Sequence, residues 1–546
     1  MTPSLFRLKS WLRAGAGLAC LAWVMGSQVA TAAAPLPQYT GDLIIKWRDD
    51  TSGTRKTLSA SEANNRLLSV AQAAGSTLQV KRTLGTNAQL MHTGLTDAAS
   101  IQATVDKIAQ DARVAYVVPD RILRPNTIPN DPLFATQNNL AAPALVPGGI
   151  NAAAAWSITQ GSTGIVVAVV DTGYTDHPDL SAKILPGYNF ISDPARAGNT
   201  FGRGTDAHDL GDGVTSTDVA NISGCTSSDI ANSSWHGTEV SSVLAAQTNN
   251  TLDIAGVGWN TPIVPVRVSG KCGALLSDTV DGMLWAGGIN VSGVPTNANP
   301  ARVVNVSLGS TTQCSAAEQD AVNQLAARGA IVVAAAGNEG LTSVGASSSP
   351  PPVTVDAPAN CTGAIAVTAH VDSGENAVYA NVGPQVAISA PGGGCPNSQP
   401  SCGVSASVIQ ADSIDNNTNA YTFKSVAGTS FSTPETAGTI ALMLSVQPQL
   451  SNAQVLAGLK QTARPHPGGT YCAVNTGICG AGLLDTAGAV SYAQNTAPAG
   501  AGSGTTGSGG STGSTSGGGG GAVPLVGAAL LLALGLGCRR KRTLPH

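Results

Sequence analysis

The stretch Gly428-Thr429-Ser430-Phe431-Ser432-Thr433-Pro434 places a serine two residues after a glycine and four residues before a proline. Proline is favoured at the first position of a helix, and Thr433 before it is a suitable N-cap. The apolar residues that follow recur at the spacing of one buried helix face: Ala437, Ile440, Ala441 and Leu444. Ser430 is therefore expected on a tight turn ahead of a buried helix, where it either caps that helix or serves as a rigidly held nucleophile.

Upstream of this helix, short apolar runs bounded by turn residues predict buried strands: 165–170, 263–268, 303–306, 331–336 and 364–367. Continuous apolar runs suit strands that are covered on both faces. The predicted fold class is therefore α/β, a parallel sheet flanked by helices. Sheets of this kind place their functional residues at the carboxyl ends of the strands.

Three polar residues stand at such positions. Asp171 follows the strand 165–170, Asn338 follows the strand 331–336, and His236 opens a helical stretch. Taken singly, Asp171 and Asn338 are ordinary turn residues and His236 is an ordinary helix-start residue. Their joint order with Ser430 changes that interpretation, because Asp, His and Ser follow one another along the chain as in the subtilisin triad.

Four local motifs occur in the same order: Val169-Val170-Asp171-Thr172-Gly173, His236-Gly237-Thr238, Ala335-Ala336-Gly337-Asn338 and Gly428-Thr429-Ser430. Together they resemble the subtilisin-like serine peptidases, the subtilases, over residues 130–494. The resemblance implies a serine endopeptidase that cleaves peptide bonds through an acyl-enzyme. Ser430 would be the nucleophile, His236 the general base and Asp171 the residue that orients His236. The side chain of Asn338 and the backbone N–H of Ser430 would bind the oxyanion.

The resemblance also implies where the substrate binds. One segment, Ser307, Leu308 and Gly309, would pair with the substrate backbone. A second segment, Ala334, Ala335, Ala336 and Gly337, would complete the first specificity pocket. This small, apolar lining favours an uncharged residue before the scissile bond. The expected partners are protein or peptide substrates, the expected state is a monomer, and catalysis would require no cofactor.

The N-terminal part of the chain divides into two predicted segments before the catalytic domain, 130–496. Residues 1–32 combine basic residues, an apolar run and an A-x-A site, which is typical of a secretory signal peptide. Residues 33–129 contain a predicted strand at 42–47, a helix at 98–108 and a strand at 114–119. This small α+β unit resembles the subtilase propeptide, which implies an intramolecular chaperone and inhibitor.

The C-terminal part begins with a Gly/Ser/Thr linker at 497–521. Residues 522–546 carry a short apolar run followed by the basic cluster 539–542. This order resembles a bacterial sorting signal, with a plain membrane anchor as the alternative. The protein is therefore expected to be exported, extracellular or on the cell surface, and to meet a membrane only through this tail.

Composition agrees with export and argues against nucleic-acid binding. The net charge is −4, the pI is near 6.0, and the folded region has no basic stripe. Eight cysteines lie outside the two predicted targeting segments, an even number that suits disulfides in an exported protein. Neighbourhood in the sequence suggests the pairs Cys225–Cys272, Cys314–Cys361, Cys395–Cys402 and Cys472–Cys479.

Two features leave alternatives open. Glu239 and Glu435 stand where subtilases often carry histidines, and they either face each other and share a proton or are independent solvated residues. The loop 204–212 is rich in carboxylates and is either a structural calcium site, with no ligands assigned, or a solvated acidic loop.

Two other functions remain possible on this scaffold. A surface-displayed binding protein would be expected to lack a triad residue, and none is missing. An acyltransferase or esterase could use the same triad, although Ser430 is not in the G-x-S-x-G motif of the α/β-hydrolases.

Overall fold

The computed structural model describes residues 39–48, 60–95, 97–121, 128–340, 355–399, 402, 407 and 409–498. The predicted signal peptide, nearly all of the predicted linker and the whole C-terminal tail lie outside these described residues. Within the described part of the chain, no helix is long and apolar enough to cross a membrane.

The N-terminal unit is a four-stranded antiparallel sheet with two helices. Its elements are β1 (Tyr39–Trp47), α1 (Ala60–Ala74), β2 (Gln79–Thr83), β3 (Gln89–His92), α2 (Ala98–Ala109) and β4 (Val114–Arg121). The strand order is β2-β3-β1-β4. Leu43, Ile45 and Trp47 alternate toward one face of β1 and pack with Ile101 and Ile108 of α2 in a separate hydrophobic core. The predicted α+β character of this unit is confirmed.

The remaining strands are β5 (Val167–Asp171), β6 (Tyr188–Asn189), β7 (Ile263–Arg267), β8 (Ser269–Gly270), β9 (Gly273–Ala274), β10 (Val303–Val306), β11 (Ile331–Ala335), β12 (Ile365–His370), β13 (Val386–Pro391), β14 (Ile409–Ile414) and β15 (Tyr421–Val426). Seven of them form a parallel sheet in the order β13-β12-β11-β10-β5-β7-β6. The parallel α/β fold class predicted from the sequence is therefore confirmed.

The helices after the N-terminal unit are α3 (Ala152–Trp156), α4 (Pro194–Ala197), α5 (Ser216–Asn221), α6 (His236–Ala245), α7 (Leu276–Ala286), α8 (Ala316–Ala327), α9 (Thr429–Val446), α10 (Asn452–Thr462), α11 (Tyr471–Val474) and α12 (Thr486–Asn495). Short 3-10 turns at Phe134–Thr136 and Asn138–Leu140 lead into α3.

Both faces of the parallel sheet are buried. Val167 and Val169 of β5 pack in the hydrophobic core that contains α6 and α9, whereas Ala168 and Val170 pack in a second core that contains α7 and α8. Successive side chains of a strand point to opposite faces, so β5 is apolar at four consecutive positions. This double burial explains why most positions of these strands are apolar in the sequence.

Helix α9 begins earlier than the sequence predicted. Thr429 is its first residue, Gly428 is the N-cap, and Pro434 lies inside the helix rather than at its start. Proline has no amide to bond to the carbonyl four residues earlier, which belongs to Ser430. The Ser307 hydroxyl donates to that carbonyl instead, at 2.8 Å. A tertiary contact thus lets the helix begin five residues before Pro434, and Ser430 lies in its first turn.

All four predicted disulfides are present. The Cα–Cα separations are 5.3 Å for Cys225–Cys272, 5.1 Å for Cys314–Cys361, 5.5 Å for Cys395–Cys402 and 5.7 Å for Cys472–Cys479. These separations lie within the range that a disulfide can bridge. The first bond ties the chain near α5 to the β8–β9 hairpin, and the second ties the start of α8 to the chain before β12.

Candidate active site

A contact between Asp171 and His236 connects the end of β5 to the beginning of α6. Asp171 ends β5 and is completely buried, and its Oδ1 atom lies 2.8 Å from His236 Nδ1. The backbone N–H of Thr172 donates to the same oxygen at 2.8 Å. A buried carboxylate held in this way binds one nitrogen of the imidazole and leaves Nε2 to face away from β5.

The charge of Asp171 changes the protonation of His236. Burial disfavours the imidazolium, but the Asp171 carboxylate outweighs it and raises the pKa of His236 to about 9, with smaller contributions from Glu239 and Asp212. One fifth of the His236 side chain is exposed, so the ring remains accessible to a reacting molecule. The Asp171 carboxylate therefore makes His236 a stronger base, because it stabilises the imidazolium that forms when His236 accepts a proton.

The first turn of α6 rests on the turn that follows β5. Thr172 Oγ1 accepts a hydrogen bond from the Gly237 N–H at 2.9 Å and donates to Asp209 Oδ2 at 2.6 Å. A Cβ atom on Gly237 would lie 2.2 Å from the carbonyl oxygen of Gly173, so only glycine permits this approach. The contact brings the beginning of α6, and hence His236, against the end of β5.

The acidic loop 204–212 also supports His236. Asp212 accepts hydrogen bonds from Ser234 N at 2.6 Å and Ser234 Oγ at 2.7 Å, and Ser234 Oγ accepts one from the His236 N–H at 3.2 Å. The carboxylates of Asp206 and Asp209 accept backbone amides within the loop. These three carboxylates accept hydrogen bonds from protein donors, so the loop helps to position the beginning of α6, and structural calcium at this loop stays a prediction without assigned ligands.

Ser430 lies in the first turn of α9, beside the end of β10. Its hydroxyl donates to the carbonyl oxygen of Ser307 at 3.1 Å, and the described residues include no hydrogen bond from it to His236. The next residue, Phe431, has its ring centroid 5.7 Å from that of His236. The structure therefore brings Ser430 into the neighbourhood of His236, and catalytic hydrogen bonds often tighten only when substrate binds.

Asn338 is exposed and faces the N-terminus of α9. Its Oδ1 atom accepts hydrogen bonds from Thr429 N and from Thr429 Oγ1, both at 2.9 Å. A backbone N–H can only donate, so the amide oxygen of Asn338 must face it, and Nδ2 is a donor without an acceptor among the described residues. A Cβ atom on Gly428 would lie 3.7 Å from Ser430 N and 3.8 Å from Asn338 Nδ2. The two donors therefore flank one space that glycine keeps open.

The two predicted substrate-binding segments are adjacent. Strands β10 and β11 are parallel neighbours, with Val306 opposite Ala334. Ser307 is buried, Leu308 is half-buried and Gly309 is exposed, whereas residues 334–337 are all buried. The ends of β10 and β11 and the residues that follow them thus lie side by side near Ser430.

A carboxyl group beside these segments was missed by the sequence analysis. Asp356 is buried, and a Cβ atom on either Gly309 or Gly337 would lie within 3.2 Å of its side chain. Glu339 and Asn381 complete a polar cluster with it. Asp356 thus places a carboxyl group beside the segments for which the sequence analysis expected a small, apolar lining. Asp356 belongs to none of the motifs, and an aspartate after an apolar run is by default a turn residue.

Glu239 and Glu435 neither share a proton nor stand as independent solvated residues, the two interpretations that the sequence allowed. Glu239 and Glu435 are both buried, so they are not independent solvated residues. Glu239 Oε1 accepts a hydrogen bond from Ser413 Oγ at 2.8 Å and lies 3.3 Å from Lys424 Nζ. Glu435 Oε1 accepts one from Asn139 Nδ2 at 2.8 Å. The two carboxyls have different partners, and a shared proton does not join them.

Glu435 should make stability depend on pH. Burial raises its pKa well above the ordinary value, and the hydrogen bond from Asn139 opposes this only in part. The folded state holds the proton more tightly, so the stabilisation is complete below the unfolded pKa and is lost as pH rises. Because glutamine cannot ionise, we expect the free energy of unfolding of Glu435→Gln to exceed that of the wild type by about 1.4 kcal/mol more for each pH unit above the unfolded pKa, up to the folded pKa.

Melting temperatures of the wild type and Glu435→Gln between pH 4 and pH 8 check this prediction. The difference in Tm should be small at pH 4 and should widen as pH increases. A difference that stays constant across this range would mean that the substitution acts through packing alone.

Comparison with known proteins agrees with this geometry. Residues 162–504 match the sequence profile of the subtilase family. The chain is 40% identical over 400 residues to an extracellular protease of Xanthomonas campestris, a match that covers 73% of this chain and 63% of that protein. It is 35% identical over 341 residues to an extracellular basic protease of Dichelobacter nodosus, covering 62% of this chain and 52% of that protein.

Among solved structures, a protease from Pseudoalteromonas arctica superposes with a TM-score of 0.57 and 36% identity, covering 67% of this chain and 100% of that chain. The chain spans less than two thirds of the two curated relatives described above. The match to the family profile extends over more than half of this chain and includes His236, Asn338 and Ser430. The chain belongs to the subtilase family.

Proposed function

We propose that this protein is a serine endopeptidase that hydrolyses peptide bonds through an acyl-enzyme. The observation that carries the proposal is the 2.8 Å contact between the buried carboxylate of Asp171 and His236, beside the helix N-terminus that holds Ser430. An isolated aspartate or histidine has many structural uses. A buried Asp–His pair next to a serine and two free N–H donors is suited to acyl transfer.

The chemistry follows from these positions. His236 Nε2 would remove the proton from Ser430 Oγ as that oxygen attacks the substrate carbonyl carbon. The carbonyl oxygen would become an oxyanion, bound by Asn338 Nδ2 and by the Ser430 N–H. His236 would then give the proton to the leaving amine, which breaks the peptide bond and leaves an ester on Ser430. A water molecule, activated by the same base, would hydrolyse that ester.

The substrate would bind along the extended segment that follows β10. An extended peptide can pair with the backbone of Ser307, Leu308 and Gly309, which lie beside Ser430. Main-chain pairing accepts many sequences, so the substrates would be proteins and peptides in extended conformation. Subtilases carry out this reaction without a cofactor, and structural calcium remains a prediction without an assigned site.

Labelling of the mature protein with a fluorophosphonate, together with digestion of casein, tests the proposal. We expect the label on Ser430 and cleavage of casein. A protein that neither labels nor cleaves would be a binding protein on a subtilase scaffold. A protein that labels but leaves peptide bonds intact would be an esterase or acyltransferase.

The proposal includes an exported zymogen. Residues 1–32 would direct export, 33–129 would act as inhibitor and chaperone, and 130–496 would be the catalytic domain, active as a monomer. The linker 497–521 and tail 522–546 would sort or anchor the chain at the cell surface. Four disulfides and relatives named as extracellular proteases support export. Mass spectrometry of the mature termini tests these boundaries.

Replacement of Asn338 by alanine should reduce the rate of the chemical step. The side-chain donor acts on charge that develops in the transition state, so kcat should fall about 10²–10³-fold, the loss measured for the corresponding donor of subtilisin, a member of this family. KM should change much less, because the donor contributes little to ground-state binding. Steady-state kinetics on one peptide substrate measure both constants. A loss in KM with kcat unchanged would contradict this role.

A further inference from the structure

The pocket beside the proposed nucleophile contains a carboxyl group between two glycines. A Cβ atom on Gly309 would lie 3.1 Å from Asp356 Cβ and 3.2 Å from Asp356 Oδ2. A Cβ atom on Gly337 would lie 2.6 Å from Asp356 Cγ and 2.7 Å from the same Oδ2. Gly309 and Gly337 end the two segments assigned to substrate binding. Asp356 therefore lies where those segments converge.

A second carboxyl group is joined to the first. Asn381 Nδ2 donates to Glu339 Oε2 at 2.7 Å and to Asp356 Oδ1 at 3.2 Å. Asp356 is only 4% exposed, whereas Glu339 is exposed, so the pair extends from the protein interior to the surface. Glu339 directly follows Asn338, the proposed oxyanion donor. The acidic pair is therefore adjacent to the position of the scissile carbonyl.

The acidic pair has an amide partner but no cation. Neither Asp356 nor Glu339 forms an ion pair with a lysine, arginine or histidine among the residues that the structure describes. Burial and the nearby charge of Glu339 raise the pKa of Asp356 to about 7. The two carboxyls also form a side-chain hydrogen bond with each other, which requires a proton on one of them, and a positive group beside them would stabilise both in the ionised form.

We infer that Asp356, together with Glu339, selects substrates that carry arginine or lysine immediately before the scissile bond. This inference rests on the proposed peptidase function and replaces the expectation of an uncharged residue there. Gly309 and Gly337 have no side chains to separate the Asp356 carboxyl from the backbone of the two segments that would hold the substrate. The head group of the basic side chain would then supply the missing cation, and the planar guanidinium of arginine can engage two carboxylates at once.

Fluorogenic peptides that differ only in the residue before the cleaved bond test the inference. With arginine, lysine, phenylalanine and alanine at that position, kcat/KM should be at least about tenfold higher for the two basic residues than for phenylalanine, the ratio that corresponds to roughly one charge-assisted hydrogen bond. Asp356→Asn and, to a smaller extent, Glu339→Gln should reduce this ratio. Asp356→Glu, which keeps the charge, should preserve the basic preference.

Asp320→Asn is the matched control, because it removes one negative charge from the exposed side of α8 and should leave the ratio unchanged. A wild-type enzyme that cuts after phenylalanine or alanine as fast as after arginine would overturn this inference and leave the proposed function intact. A wild type that cuts none of the four peptides would overturn the proposed function and this inference with it. The wild-type panel and the surface variant Glu339→Gln decide the outcome even if Asp356 variants fold poorly.

Discussion

Ser430→Ala is expected to reduce kcat for peptide hydrolysis by about 10⁶-fold, which is the loss measured when the nucleophile of subtilisin, a member of this family, is removed. The reason is that no acyl-enzyme can form without the Ser430 oxygen, however well the remaining groups are placed. Binding of the oxyanion by Asn338 and the backbone would leave a residual rate of about 10³–10⁴ over water. Steady-state kinetics on one peptide substrate, with the variant purified separately from wild type, measure the effect.

The matched control is Ser432→Ala in the same helix turn. The Ser432 hydroxyl donates to the carbonyl oxygens of Ala390 and Pro391, so it is occupied in packing α9 against β13. We expect Ser432→Ala to keep the fluorophosphonate label and Ser430→Ala to lose it. A label that persists in Ser430→Ala would assign the nucleophile to another residue. If the predicted propeptide is removed by the enzyme itself, Ser430→Ala should also accumulate with residues 33–129 attached.

Asp171→Asn is expected to lower kcat by about 10⁴-fold, the order of effect found when the aspartate of a catalytic triad is replaced. Asparagine is nearly the same size, so the fold should be retained. Its amide, however, neither stabilises the imidazolium nor selects the tautomer that leaves Nε2 free to accept a proton. The 2.8 Å contact with His236 Nδ1 would change from a charged hydrogen bond to a neutral one.

The pH profile distinguishes this mechanism from a general loss of structure. His236 must be neutral to act as a base, so wild-type kcat/KM should rise with pH and reach half of its maximum near the pKa of His236, about 9. Without the Asp171 carboxylate that pKa should fall, and the half-maximum of Asp171→Asn should lie at lower pH. Asp320→Asn should keep the wild-type midpoint. An Asp171→Asn profile that is scaled down but not shifted would contradict the proposed role.

The parallel sheet could be predicted because its strands are buried on both faces. Strand β10 was predicted at its observed bounds, and the predicted strand 331–336 differs from β11 by one residue. Strand β11 is apolar throughout, and β10 is apolar at three of its four positions, with the buried Asn305 as the exception. The partly exposed strands were harder to predict. Strand β15 alternates exposed and half-buried residues, and β2 is exposed throughout, so neither forms an apolar run.

The start of α9 could not be predicted from local rules. Pro434 is a good first residue for a helix, and nothing in the motif itself indicates that the helix begins at Thr429. The unsatisfied carbonyl of Ser430 finds its donor in Ser307, which is 123 positions away in the sequence. A contact over that distance is a property of the folded chain. The same reason explains why Glu239 and Glu435, although both buried, take different partners.

The sequence by itself determined the fold class, suggested the four disulfide pairs by neighbourhood, and supplied the candidate residues of the site. These depend on burial periodicity, on neighbourhood along the chain and on motifs that each occupy a few positions. Tertiary structure alone decided the orientation of the Asn338 amide, the use of the acidic loop as a support for His236, and the position of Asp356 beside Gly309 and Gly337. The physical reason is that hydrogen-bond partners and electrostatic environment depend on distances between remote segments. Asp356, for example, lies beside both segments only because Gly309 and Gly337 come together in the folded chain.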